Sequence, residues 1–223
     1  SQALLLWEGG DSPRAKALLQ EQMPASDKLD IRGFEWYYLW KLCNQPRKLL
    51  QGHRAPVTVL RFTAEGDTLV SADETGMIYA WDTATGSCKW FVKGHNGKVS
   101  VLAISERAGV LLSAGDDRLC RIWSLHEGEK NGELRAHTLP VKTLAISSDG
   151  SRAVSTDAVS QVIWDVPSRR STRLILGSLG NTCATISSDG AFVAFGRDRR
   201  VQIHDGHTGG RLAEFRPHES EIA

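Results

Sequence analysis

Two hydrophobic periods divide the chain. Over residues 1–46 apolar positions recur at helical spacing, and from Arg47 onward they alternate with polar ones, as in half-buried strands. In the first part, "ALLLWEGGDSPRAKALLQEQ" predicts a helix reaching Trp7, a Gly9-Gly10 stop, and a second helix with Ser12 as N-cap and Pro13 in its first turn. The aromatic segment "DIRGFEWYYLWKLC" follows Pro24 and predicts a third helix over 28–42. Ile31, Phe34, Tyr38 and Leu42 make one apolar stripe, and Trp36, Trp40 and Cys43 make another roughly opposite. A helix apolar on two sides is expected to pack on two sides, against the hairpin before it and the β-structure after it. Exposed rings would instead make a stacking platform.

The β-rich part repeats itself. "GHRAPVTVLRFTAEGDTLVSADETGMIYAWD" (52–82) lies without a gap on "GHNGKVSVLAISERAGVLLSAGDDRLCRIWS" (94–124), followed by "AHTLPVKTLAISSDGSRAVSTDAVSQVIWD" and a weaker "GSLGNTCATISSDGAFVAFGRDRRVQIHD". The markers His53, His95, His137, Ser178 and His218 are spaced by 42, 42, 41 and 40 residues. Each unit holds four short alternating segments, in the first "VTVLRF", "TLVSA", "MIYAW" and "CKWFV". Units are expected over 52–93, 94–135, 136–176 and 177–216, with a fifth beginning at 217. "SSDG", present twice, predicts a turn with Gly at positive φ rather than a calcium loop, since the EF-hand spacing is missing.

Four-stranded units of this length, opening on Gly-His and closing on Trp-Asp, resemble the WD-repeat family of β-propellers over residues 47–223. The resemblance implies a mainly β fold, with a short α-helical segment ahead of four propeller blades and the start of a fifth. It also implies a structural tetrad in which Asp, His, Ser and the Trp indole form one hydrogen-bonded chain. The second unit matches it with His95, Ser113, Asp117 and Trp123. The first keeps His53, Ser71 and Trp81 but has Thr75 at the Asp place, unless Asp73 substitutes. The third keeps His137, Ser155 and Trp164 and is one residue short in the turn holding Asp157. The fourth retains only Asp198, with Ser178, Ala194 and His204 elsewhere, so packing is expected to hold it.

Propellers of this family are usually sealed by an N-terminal strand that completes the last blade. "RKLLQ" (47–51) stands at that place, yet the sequence stops as a fifth unit begins. Together with a first residue that is Ser1 rather than Met, this predicts a piece of a longer protein, about three blades short of a ring. Two exposed strand edges are then expected to be prone to association.

Charge and composition narrow the chemistry. Lys and Arg number 27 against 26 Asp and Glu, a net charge of +1, so no field draws in phosphate backbones or anionic lipid. Neither nucleic acid nor direct membrane contact is expected from this segment. Cys43, Cys88, Cys120 and Cys183 lack metal-site spacing and read as buried small apolar residues. Ser, His and Asp also make hydrolase triads, but here an indole N–H would occupy the Ser oxygen and the constellation recurs in neighbouring units. His204 and His207 sit three apart at a strand end, where side chains diverge, which disfavours a metal. A propeller hydrolase would need titratable groups on the strands that open each unit, and these have almost none.

No catalytic residue, cofactor or metal is therefore expected. The expected function is that of a non-enzymatic scaffold for protein partners. The docking rim is placed in the loops after the Gly-His positions and between second and third strands, with Arg54, Asn96, Thr138, Arg197 and Arg199 as candidates. The lead-in resembles half of a tetratricopeptide-like hairpin. "DIRGFEWYYLWKLC" ahead of such repeats resembles the linker of large bacterial proteins that often carry an upstream eukaryotic-type Ser/Thr kinase domain. That resemblance implies a signalling parent, cytoplasmic or tethered to a membrane through upstream sequence. These residues themselves contain no Gly-rich phosphate loop, His-Arg-Asp or Asp-Phe-Gly motif. A region that merely spaces or tethers the kinase, without a ligand of its own, is the competing reading.

Overall fold

The computed structural model describes residues 2–8, 11–23, 33–43, 49–175, 182–197 and 200–215. The chain divides into two compact units, Ser1–Leu49 and Leu50–Ala223.

The first unit contains α1 (Gln2–Glu8), α2 (Ser12–Glu21) and α3 (Phe34–Cys43). The cap of α2 is Asp11 rather than Ser12: its carboxylate accepts the Arg14 backbone N–H at 3.3 Å, and a negative charge suits the positive end of the helix dipole. Ala3, Leu19, Trp36 and Leu39 form the core, with Leu4, Leu18, Trp40 and Cys43 beside them. The Trp36 indole N–H donates to the Leu19 carbonyl at 3.1 Å, satisfying one of the acceptors that the last turn of α2 leaves over. Trp40 stacks on Trp36 with ring centroids 5.0 Å apart. The other stripe is described only in part. Phe34 is 80% exposed and Tyr38 52%, and they stack on each other at the surface; Ile31 lies outside the described residues. The helix also begins later than expected, after Gly33.

The described residues of Leu50–Ala223 form four antiparallel four-stranded sheets, each a meander in chain order. The first blade contains β1 (Val57–Phe62), β2 (Thr68–Asp73), β3 (Met77–Asp82) and β4 (Cys88–Lys93). The second contains β5 (Val99–Ser105), β6 (Val110–Gly115), β7 (Cys120–Ser124) and β8 (Lys130–Leu134). β9 (Thr143–Ile146), β10 (Arg152–Thr156), β11 (Ser160–Asp165) and β12 (Arg170–Ile175) form the third. The fourth contains β13 (Thr182–Ile186), β14 (Phe192–Arg197), β15 (Arg200–Asp205) and β16 (Arg211–Phe215). At both "SSDG" sites Gly takes positive φ, +71° at Gly150 and +73° at Gly190. Asp149 and Asp189 close the turns by accepting from Ser147 and Ser187 Oγ, both at 2.6 Å.

Alternation gives every blade two apolar faces, and register defines them. In the first blade a front face carries Leu60, Leu69, Ser71 and Trp81, and a back face carries Val70, Ala72, Ile78 and Ala80. That back face packs on Leu102, Leu111 and Trp123, the front of the second blade. Ala103, Leu112 and Ile122 behind them pack on Leu144, Val162 and Trp164 of the third. Val154 and Ile163 in turn pack on Val193 and Phe195 of the fourth. The innermost strands β1, β5, β9 and β13 are successive neighbours. Successive blades are thus joined through sheet faces and not through the strand edges that the sequence points to, because they stack face to face rather than extend one another's sheets.

The proposed sealing strand does not form within the described residues. Residues 49–51 are in no strand, and Arg47, Lys48 and the fifth unit lie outside the described residues. Of the cysteines only Cys120 is fully buried; Cys43 is half-buried, and Cys88 and Cys183 are exposed, contrary to expectation, because their strands border the open sides of the sheets.

Truncating Trp36 to Ala should lower stability in urea unfolding of the full chain by about 3–5 kcal/mol, while Tyr38→Ala should change it by less than about 0.5 kcal/mol.

Candidate functional site

Strand pairing assembles the polar chain in each blade. In the second, Trp123 Nε1–H donates to Ser113 Oγ at 2.7 Å, Ser113 Oγ meets His95 Nε2 at 2.7 Å, and His95 Nδ1 meets Asp117 Oδ1 at 2.9 Å. One proton assignment satisfies all three contacts: indole to hydroxyl, hydroxyl to Nε2, and Nδ1–H to carboxylate. Arg121, which the sequence reading overlooked, closes the far end by donating to Asp117 Oδ2 at 2.6 Å.

The first and third blades complete the same chain with a carboxylate taken from another place. In the first, His53 meets Ser71 Oγ at 2.6 Å and Asp73 at 2.8 Å, and Trp81 donates to Ser71 at 2.7 Å. Thr75 does not replace the acid but supports it, donating its hydroxyl to Asp73 Oδ1 at 2.6 Å. In the third, His137 meets Ser155 Oγ at 2.6 Å and Asp157 at 3.1 Å, with the Trp164 indole on Ser155 at 2.7 Å. The signal was present in the sequence as Ser-x-Asp, at 71–73 and 155–157. Residues two apart on a strand share a face, so the acid follows the serine directly and needs no reach from the turn.

The fourth blade has no such chain among its described residues. Register places Phe195, not the expected Ala194, where the serine would be: Val193 pairs with His204 as Ala153 pairs with Trp164, and Ala194 lies on the opposite face, while Ser178 and Asp198 lie outside the described residues. His204 occupies the tryptophan place, buried edge-on against Phe195 at 5.4 Å. Its Nδ1–H donates to the Gly209 carbonyl at 3.0 Å, while Nε2 is buried without a hydrogen bond. His207 is exposed, so the two imidazoles do not converge, and no metal-binding group of three occurs among the described residues.

Burial tunes these groups in different directions. His95 is held below its ordinary 6.5, mainly by burial, against the opposing pull of Asp117. For Asp157 burial pushes upward, but the amides of Val159 and Ser160 and the Ser160 hydroxyl outweigh it and hold the carboxyl at about 2. Asp117 is lowered likewise, burial being overcome by the hydrogen bonds from His95 and Arg121. Burial pushes the Cys120 thiol up to about 12, so it stays protonated and inert.

The same carboxylates hold the loops beyond the histidines. The backbone N–H of Asn96 donates to Asp117 Oδ2 at 3.3 Å, and that of Thr138 to Asp157 Oδ2 at 3.3 Å. Arg54, Asn96 and Thr138 each follow a histidine of the chain and are exposed. Arg197 ends β14, and Arg199 lies outside the described residues. As a catalytic triad the arrangement fails on access. Ser71, Ser113 and Ser155 are 2%, 0% and 0% exposed, and each oxygen already accepts an indole proton.

Replacing Ser113 by Ala leaves a buried indole N–H and an imidazole nitrogen unpaired, and should cost about 2–4 kcal/mol in urea unfolding. Acid should destabilise the fold in two stages. The unfolded chain takes up the His95 proton more readily than the fold does, so stability falls as pH drops below 6.5. The contribution of Asp157 is full above 3.8 and disappears as pH falls through about 2. Urea midpoints measured across the acid range should show both stages, and Asp157→Asn should flatten the lower one.

Residues 44–82 and 86–124 match the family model described as WD domain, G-beta repeat. No curated protein matches the chain. Among solved structures, that of U3-55K and that of the RRP9 WD40 repeats each superpose with a TM-score of 0.67 at 21% identity, over 78% of this chain and 55% of theirs. The β-propeller domain of Myceliophteria thermophila Cps50 (Swd1) gives 0.66 at 21% identity, over 76% and 58%. The chain thus spans little more than half the length of each of these structures. Two stretches of the chain match that repeat model, and the likeness to these structures shows a β-propeller fold in which the described sheets are blades.

Proposed function

We propose that this chain is a non-enzymatic scaffold that docks protein partners on the rim carrying Arg54, Asn96 and Thr138. The observation that carries this reading is the clamp behind the rim. In the second and third blades a carboxylate, half-buried at Asp117 and buried at Asp157 and fixed by its histidine, also binds the backbone N–H of the exposed residue that follows the histidine. Exposed side chains on a fixed backbone lose little entropy on binding, which favours recognition. The polar atoms of the chain are meanwhile consumed internally, leaving no free nucleophile there. WD-repeat propellers generally bind protein partners, and the near-neutral charge favours neither nucleic acid nor lipid. Arg197 and Arg199 extend the proposed rim to the fourth blade.

The motif "DIRGFEWYYLWKLC" supports a finer reading, that the scaffold serves a larger bacterial signalling protein with a Ser/Thr kinase domain upstream. The parent would be cytoplasmic or membrane-tethered through that upstream part. No described helix is long and apolar enough to cross a membrane. The flanking reading frame tests this directly.

For the rim, a triple variant Arg54→Ala, Asn96→Ala, Thr138→Ala should unfold like the wild type, since no side chain removed is buried. It should lose the partners captured by the unmodified chain. Identical partner lists would sink the docking reading.

A further inference from the structure

The net charge of +1 hides how the charges are placed. Meander order sends alternate connections to opposite ends of the strands. At the end that carries the histidines, Arg54, Lys98, Arg118 and Lys142 are exposed and free of ion pairs, and Arg135 is paired with Glu133. The exposed acids in the described connections there are Glu74 and Asp116. Asp73, Asp117 and Asp157 lie beneath, their charges taken up by histidines, Arg121 and backbone N–H groups. At the opposite end the turns expose Glu65, Asp67, Glu127, Glu129, Asp149 and Asp189 against Arg107 and Arg169. One end is therefore basic toward solvent and the other acidic. Hydrogen bonds between connections make the basic end one continuous surface: the His95 N–H donates to the Gly76 carbonyl at 3.1 Å, that of Asp116 to Lys98 at 3.0 Å, and that of Val141 to Gly115 at 3.1 Å.

Arg118 stands out on this surface. It takes φ +67° at the place where the first blade has Gly76 at +95°, so a side chain is carried there against the preference of the backbone. Arg169, the other non-glycine residue at positive φ among the described residues, donates its guanidinium to the Asn131 carbonyl at 2.5 Å. The exposed Arg118 side chain has no hydrogen bond or ion pair among the described residues, so nothing within the fold accounts for it. We infer that the rim receives an acidic segment of a protein partner, whose carboxylates are met by Arg54, Lys98, Arg118 and Lys142. This rests on the rim reading proposed above and gives it a chemistry. The cations stand one to a connection, with Glu74 and Asp116 interspersed and Asn96 and Thr138 as neutral hydrogen-bonding neighbours. Such spacing suits separate carboxylates better than the unbroken charge of a nucleic acid.

An array of random-sequence peptides probed with the full 223-residue chain should return bound peptides enriched in Asp and Glu over the array as a whole. The affinity of the tightest of them, read by fluorescence anisotropy, should fall about tenfold in the double variant Lys98→Glu, Lys142→Glu, and should weaken as salt rises. Arg118→Gly relieves the backbone, so it should unfold at no lower urea concentration than the wild type and yet bind about threefold more weakly. Bound peptides without acid enrichment that the triple rim variant loses overturn this inference and leave the rim reading standing. Peptides that the triple variant binds as the wild type does overturn both. Acidic peptides indifferent to the Lys98 and Lys142 reversals, an array with no bound peptide, or an Arg118→Gly variant of undiminished affinity also overturn the inference. So does a single-stranded oligonucleotide that binds more tightly than any peptide and is lost in the same variants, since the occupant is then a nucleic acid.

Discussion

The serine hydroxyl at the centre of each intact blade is the point on which the rest of the structure depends. Ser71, Ser113 and Ser155 lie on the second strand of their blades. Each accepts an indole proton from the third strand and passes its own to a histidine of the loop that enters the blade. A hydroxyl is the right group because it donates and accepts at once, so two buried nitrogens of opposite need are satisfied by one small atom. Without it both would be orphaned, at about 1–3 kcal/mol each. The link also carries tertiary meaning. The histidine it fixes belongs to the inter-blade loop, so strand order within a blade and the path between blades are set by the same contact.

The fourth blade shows what remains when that atom is missing. Phenylalanine at 195 offers no acceptor, and the imidazole of His204 is shorter than an indole, so it turns to the Gly209 carbonyl and leaves Nε2 bare. Val193 and Phe195 packed on Val154 and Ile163 hold the sheet in place. Packing alone thus suffices to seat a blade on its predecessor, whereas the polar chain governs the entering loop.

Sequence carried the strands well, since alternation and a repeated register overdetermine them: "VTVLRF" and "MIYAW" fall inside β1 and β3. It carried the Ser-His-Trp part of the chain for the same reason, each being tied to a fixed place in a strand or at its entry. The acids were harder, because a carboxylate can arrive from the turn, as Asp117 does, or from the strand end, as Asp73 and Asp157 do, and spacing alone treats these as different motifs. Arg121 was illegible, since an exposed-looking strand arginine shows its role only once β7 lies beside the loop. The aromatic helix misled in one respect. Phe34 and Tyr38 are spaced for burial, yet aromatic residues four apart also satisfy each other by stacking at the surface. Helix α3 thus packs on its Trp36 side and carries the exposed rings of Phe34 and Tyr38 on another.

Face-to-face stacking also constrains a blade more than edge pairing constrains a sheet. A sheet that grows by edge pairing can blunt its edge with one charged or proline residue. A blade cannot blunt its face in that way, because the positions that would carry the charge are those that must pack when a neighbour is present. Leu60 is the equivalent of two buried leucines, and a polar residue there would cost the repeat its contact wherever a blade precedes it. The apolar front and back of every blade are therefore imposed by the repeat itself.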